Sequence, residues 1–326
     1  MDAFLPVAGG MSYGAPVIAS FQAPGDATDL AAEVVASADT AGNQDILING
    51  RNFGRWSDRL VVEYFKEIED SLVDDGLDFT KAPLAIGTSS TLRFVPTIGS
   101  CRVTIDDRQL SCTMGPGAGS ALDWVVRVDG QNSSNPVTSY AIPVISSVHP
   151  RGDLSSPVPM QGVSTDGGVR LSIAGRYFGP SGSSFNGDAG LVQRVAFSPG
   201  GAATRTGSYE AVRYAVMSHD RIDVVLPPAV GEGICFGLTV ADQDAVSDQA
   251  TTASDRCFDF ALPSIDSASP LTAPTDPSGE IMVLSGSNFG LLDPLADLTV
   301  MIGEPEWEQG VYEVAPARRI PSINAV

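Results

Sequence analysis

The sequence predicts an all-β protein of tandem β-sandwiches, two complete and one partial. Three observations lead there. An apolar strand running into Gly-x-x-Phe-Gly occurs three times, in "ILINGRNFGRW" (Ile46 to Trp56), "RLSIAGRYFGP" (Arg170 to Pro180) and "MVLSGSNFGLL" (Met282 to Leu292). The segments between them are short alternating runs. Glycine (34 residues) and proline (23) are abundant with no collagen-like period, the mark of many strands joined by turns. At 326 residues and 43% hydrophobic content the chain can fill two or three cores.

The copies register on Gly50, Gly175 and Gly286, with Phe53-Gly54, Phe178-Gly179 and Phe289-Gly290 at equal offsets. Spacings of 125 and 111 residues are those of tandem domains, not of solenoid units. A second marker, Pro-x-Ile-x-Ser, precedes each copy, starting at Pro16, Pro143 and Pro263. The chain thus divides into an N-terminal extension (1–13), domains at 14–142 and 143–262, and a partial domain at 263–326.

In each copy the motif ends a half-buried strand; in the second, Val169, Leu171 and Ile173 alternate with Arg170, Ser172 and Ala174. The glycine supplies backbone freedom, the phenylalanine is expected to plug the core edge, and the next glycine lets the chain turn beneath the ring. "DRLVVEYF", "LVQRVAF" and "ADLTVMI" hold the same place after the three motifs. "CRVTIDDRQLSC" reads as a hairpin turning near Asp106-Asp107. "ALDWVVRVDG" points Leu122, Trp124, Val126 and Val128 inward, and "GICFGLTVAD" is its counterpart. About seven short strands per copy is the pattern of a sandwich. The third copy has its first strands only, so its sheet edge is expected to be completed by further chain or by another molecule.

The markers together carry a resemblance: Pro-x-Ile-x-Ser, Gly-x-x-Phe-Gly, Gly-x-Gly before a long strand (Gly117-Ala-Gly119; Gly231-Glu-Gly233), and closing "YAIP" or "FALP". This resembles the IPT/TIG family of immunoglobulin-like modules across nearly the whole chain. The family occurs in plexins, hepatocyte growth factor receptor-type ectodomains, Rel-type transcription factors and microbial surface proteins. The resemblance therefore implies a fold without choosing a function.

Cys101 and Cys112 lie symmetrically about the Asp106-Asp107 turn, and Cys235 and Cys257 about residue 246. Each pair is placed to face across neighbouring strands as a disulfide, which implies an extracellular or cell-surface setting. There is no CxxC and no histidine near either pair, so zinc is not expected, and no other metal or cofactor is implied. Asn132-Ser133-Ser134 is the single usable N-glycosylation sequon. Arg151-Gly152-Asp153 has the form of an adhesion tripeptide, but a solvated turn is the plainer reading. The acidic run Glu69, Asp70, Asp74, Asp75 and Asp78 lacks EF-hand spacing and reads as an acidic insertion. "GPGAGS" lacks the Lys-Ser/Thr of a phosphate loop and is a turn. His149 and His219, the two histidines, sit in polar, turn-like contexts with no nucleophile elbow or HExxH partner.

With 39 acidic against 19 basic residues, a net charge of −20 and no basic run beyond Arg318-Arg319, nucleic acid is excluded as a partner. No run approaches the ~20 apolar residues of a membrane span, and residues 1–16 lack the basic and apolar regions of a signal peptide. The expected function is non-enzymatic: an extracellular structural or adhesive protein, a rod- or filament-forming segment of a fibre, appendage or wall layer. Its partners would be other copies of itself, further domains, or cell-surface proteins or glycans. The "YAIPVIS" and "FALPSID" junctions, stiffened by proline and free of Gly/Ser tracts, suit a spacer. Two alternatives stand beside it: a plexin-type receptor ectodomain, and an accessory module of a carbohydrate-active enzyme. Against the latter, Trp56, Trp124 and Trp307 fall singly and read as core or edge residues instead of sugar platforms.

Overall fold

The computed structural model describes residues 13–22, 37–55, 60–68, 90–97, 100–133, 137–151, 160–180, 191–199, 209–211, 213–271, 281–290, 300–302 and 312–313. Trp56, Trp307, the acidic run at 69–78, Ser134 and Gly152-Asp153 lie outside them. The chain is nearly all β, as the alternating runs require.

In the first sandwich the strands are β1 (Val17–Gln22), β2 (Asp45–Arg51), β3 (Leu60–Ile68), β4 (Ser90–Phe94), β5 (Arg102–Ile105) and β6 (Gln109–Thr113). They are followed by β7 (Leu122–Val128), β8 (Gln131–Asn132) and β9 (Val137–Thr138). One sheet runs β1-β2-β6-β5 and the other β4-β3-β7-β8, with β9 also on β7. Leu122, Trp124 and Val126 are fully buried while Arg127 is exposed, the alternation expected of β7. Phe21 of β1 meets Trp124 of β7 with ring centroids 5.1 Å apart, and Tyr64 of β3 stacks on Trp124 at 4.4 Å. The first contact joins the two sheets face to face and the second pairs neighbouring strands of one sheet; such pairs add about 0.5–1.5 kcal/mol each beyond their burial.

The second sandwich repeats the plan. Its strands are β10 (Val144–Pro150), β11 (Met160–Val163), β12 (Arg170–Arg176), β13 (Val192–Pro199), β14 (Tyr209–Glu210) and β15 (Arg213–Ser218). Then come β16 (Arg221–Val225), β17 (Ile234–Val240), β18 (Gln243–Asp244), β19 (Val246–Ser247), the four-residue helix α1 (Ala253–Arg256) and β20 (Cys257–Phe260). The sheets run β15-β16-β12-β10-β19 and β11-β20-β17-β13-β14. Phe236 stands where Trp124 stands in the first copy, within a cluster of Phe197, Phe258 and Phe260.

The third copy supplies β21 (Ser264–Ser269) paired with β22 (Val283–Ser287), and β23 (Met301–Ile302) paired with β24 (Tyr312–Glu313). No described strand adjoins β22 on the side where β6 flanks β2 and β16 flanks β12. Ile265 and Ile281 are accordingly exposed.

The two repeated markers have one structural cause. Ile18, Ile145 and Ile265 stand opposite Gly50, Gly175 and Gly286, and each is followed by a register shift before the serine of Pro-x-Ile-x-Ser. This bulge turns a backbone carbonyl onto the facing glycine. A Cβ on Gly50 would collide with the Val17 carbonyl and the Phe53 ring. On Gly175 it would meet the Val144 carbonyl and Phe178, and on Gly286 the Ser264 carbonyl and Phe289. The phenylalanine lies where a glycine side chain would be: Phe53 and Phe178 are fully buried and Phe289 half-buried. Gly54, Gly179 and Gly290 then adopt positive φ (75°, 86° and 73°).

Candidate functional site: the joint between sandwiches

Segments that join domains become flexible when their backbone groups are left to water. Here the first linker is bonded on both sides. Ala38 donates to the Ser139 carbonyl and accepts from the Ala141 amide, tying the linker to the first sandwich. Two residues on, the Pro143 carbonyl accepts from the Val246 amide, and Val144-Ile145 pair in parallel with β19 of the second. Ile142 alone stands out, half exposed.

Side chains then lock the two bodies. Tyr140 anchors its ring in the first core, its hydroxyl 2.8 Å from both the Tyr64 hydroxyl and the Gly115 carbonyl. Burial pushes both phenols well above the ordinary tyrosine range, so they act only as neutral hydrogen-bonding groups. The carbonyl of that same Tyr140 accepts from Gln243 Nε2 of the second sandwich at 3.2 Å. Lys66, one of only two lysines in the chain, is nearly buried; its Nζ lies 3.3 Å from Asp242 Oδ2 across the joint and 3.4 Å from Ser120 Oγ. Thr40 Oγ1, from the turn before β2, meets His219 Nδ1 at 3.1 Å, from the turn between β15 and β16. Ala118 and Ala241 are buried where the bodies meet: a Cβ on Gly179 would come within 3.4 Å of the Ala118 Cβ, and one on Gly119 within 3.0 Å of the Ala241 Cβ. Apolar core therefore continues from one sandwich into the next.

The second joint reuses the plan. Thr165 lies 125 residues beyond Thr40, the spacing that separates Gly50 from Gly175, and its Oγ1 meets Asn288 Oδ1 of the third copy at 3.4 Å. The Ala261 amide bonds the Val163 carbonyl just as Ala141 bonds Ala38. Asn288 and Asn52 share a further role at positive φ (60° and 63°), donating from Nδ2 to the carbonyl ahead of the marker proline, Leu262 and Ala15 respectively. In each joint the preceding sandwich offers a threonine to the motif end of the following one. Sequence reading passed over Thr40, Lys66, Gln243 and the role of His219; the equal placement of Thr40 and Thr165 before their strands was the available signal.

The sequence-derived sites fall elsewhere. Cys101–Cys112 and Cys235–Cys257 are joined, with Cα atoms 4.1 and 4.2 Å apart, and no described cysteine is free. Cys235 and Cys257 are direct partners on β17 and β20. Asn132 is exposed in the β7–β8 hairpin, its Oδ1 accepting from Arg127 Nε at 2.9 Å. Arg151, the first residue of the tripeptide, donates from Nε to Asp223 Oδ2 at 3.3 Å. Asp223 is nearly buried on the outer face of its sheet and also accepts from Arg221 and Ser172. Burial opposes its charge, but those donors outweigh it and hold its carboxyl below the usual range. Arg151 is thus occupied as a structural donor.

His149 corrects the turn-like reading. It lies within β10, only 3% exposed, with Nε2 2.7 Å from Ser147 Oγ. Alternation hid this, because β10 buries polar residues on its outer face against α1. Among the described residues there is no cluster of metal-ligating side chains, and no helix is long and apolar enough to cross a membrane.

No family model and no curated protein matches the chain. Among solved structures it is similar to the SGBP-B of a xyloglucan utilization locus in Bacteroides uniformis. That match has 16% identity over 71% of this chain and 48% of that one, with a TM-score of 0.22. A surface glycan-binding protein of Prevotella bryantii matches at 11% identity over 72% and 41%, with a TM-score of 0.35. The Yersinia pseudotuberculosis adhesin InvE matches at 12% over 72% and 64%, with a TM-score of 0.27. The chain spans about half the length of the first of these.

Proposed function

We propose that this chain is a rigid spacer: a rod-forming, non-enzymatic segment of an extracellular or cell-surface protein, built of tandem IPT/TIG-type sandwiches. The observation that carries this reading is the repeated joint. Both linkers are hydrogen-bonded into the sandwich before them, and equivalent threonines reach the next sandwich. A binding or catalytic domain has no need to repeat a buried inter-domain contact at domain spacing; a rod does, because its length persists only if every joint holds one angle.

Further support comes from where the polar groups are used. Lys66, Asp242, Gln243 and Tyr140 are committed to the joint, and Ser147, His149, Ser172 and Asp223 to bonds within one sheet. The two disulfides fit an oxidising environment. Each closes a short loop, and the chain-entropy account gives about 3 kcal/mol for loops of this size. That is useful to a protein under mechanical or proteolytic stress.

Small-angle X-ray scattering on the whole chain tests the reading. A rod gives an extended pair-distance distribution that a single conformation fits and that added salt leaves unchanged. If fitting demands a broad ensemble of angles between the first two sandwiches, the spacer reading is wrong.

A further inference from the structure

The two joints use the same threonine position but different partners. Thr40 meets an imidazole, whereas Thr165 meets an amide. We propose that the first joint is an acid-labile hinge, closed near neutral pH and loosened by protonation of His219, while the second joint is indifferent to pH. The inference rests on the rigid-spacer reading and adds its regulation.

Geometry gives the reason. Thr40 is fully buried, so its hydroxyl depends on His219 for its side-chain partner across the joint. A neutral imidazole satisfies the hydroxyl in either tautomer, since Nδ1 can accept or donate. An imidazolium can only donate, and its charge must be held at a part-buried contact with a fully buried threonine. The charged groups facing it are Asp39, from the same turn as Thr40, and Asp220, beside it in its own turn. The remaining charges of the joint, Lys66 on β3 and Asp242 after β17, are paired with each other.

Burial disfavours the charged ring, and Asp39 and Asp220 offset only part of that, so His219 titrates below the ordinary histidine value of 6.5. A depressed docked value means the contribution is complete above about pH 6.5 and is lost as pH falls through the docked value. Asn288 has no proton to gain, so nothing of the kind acts at the second joint.

The test uses the full chain, with histidine ring resonances and hydrogen exchange followed from pH 8 to 5. Only two histidines are present, and the His219→Gln variant identifies which signal belongs to His219. After correction for intrinsic exchange, protection at segments 38–44 and 216–222 should fall by up to about tenfold per pH unit between pH 6.5 and the His219 midpoint and level off below it. Segments 163–166 and 286–290 should not follow. His219→Gln, which keeps a hydrogen-bonding group but cannot titrate, should flatten the profile at the first joint. Thr40→Val should leave that joint less protected at pH 8 with a shallower pH dependence.

The idea fails if His219 titrates at or above 6.5, or if His219→Gln keeps the wild-type profile. Equal loosening of both joints also overturns it, since that would be general acid destabilisation. A first joint unprotected at every pH would sink the spacer reading together with the hinge.

Discussion

Replacing Phe178 by alanine removes a fully buried ring from the junction of β12 with the following turn. The ring lies over Gly175, and the next residue, Gly179, packs beside Leu191 and Ala118, so the cavity would open beside the joint as well as in the second core. Deleting a buried phenylalanine side chain costs roughly 3–5 kcal/mol, the higher figures applying where the surroundings cannot collapse. Collapse is resisted here because β10 and β12 are tied by their ladder through Ile145↔Gly175. For a sandwich of this size the loss corresponds to a fall of about 12–20 °C in melting temperature. Calorimetry with urea titration would measure it, and Trp124, buried in the first sandwich, would report whether that neighbour keeps its own transition. The companion variant Gly175→Ala separates the ring from the backbone. Its Cβ would strike both the ring and the Val144 carbonyl, so removing the ring as well should not restore stability. A loss under about 1 kcal/mol for Phe178→Ala, or a double variant as stable as Phe178→Ala alone, would refute this account of the motif.

Asp242→Asn should leave Lys66 nearly buried without its counter-charge and weaken the first joint by about 1–3 kcal/mol, read as lost protection of the Tyr140–Ile145 amides. Unchanged protection there would show that the pair does not hold the joint. Peptide mapping under non-reducing conditions should recover the Cys101–Cys112 and Cys235–Cys257 links, and alkylated thiols at these positions would remove the main support for an extracellular setting. Asp223→Asn should flatten the acid limb of stability: its depressed carboxyl contributes above the ordinary aspartate value of 3.8, and that contribution is lost as pH falls through the folded value. Light scattering on residues 1–262 and 1–326 should show association only in the longer chain, where the β22 edge is open among the described residues. A monomeric 1–326 at high concentration would count against that.

The sequence by itself determined what depends on local sterics and period. Gly50, Gly175 and Gly286 could be read as special because each copy meets the same collision with a carbonyl and a ring, and a collision repeated three times leaves a repeated residue. The inward face of β7 was legible because the pleat forces alternate residues to opposite sides. The Cys101–Cys112 pair was legible because a hairpin brings symmetric positions together, whereas Cys235 and Cys257 meet on neighbouring strands with β18, β19 and α1 between them. What only the tertiary structure decided is the joint. Thr40 and His219 are 179 residues apart, and Tyr140 and Gln243 are 103 apart. All four stand in turns or at strand ends, where no period marks an inward side. Nothing in the local pattern marks Lys66 for burial, which comes only when a second body covers it, and His149 read as turn-like because α1, which closes over β10, is not legible beside it. Burial of such residues is a property of how separate folded units dock, and docking brings together positions that the chain's local pattern never relates.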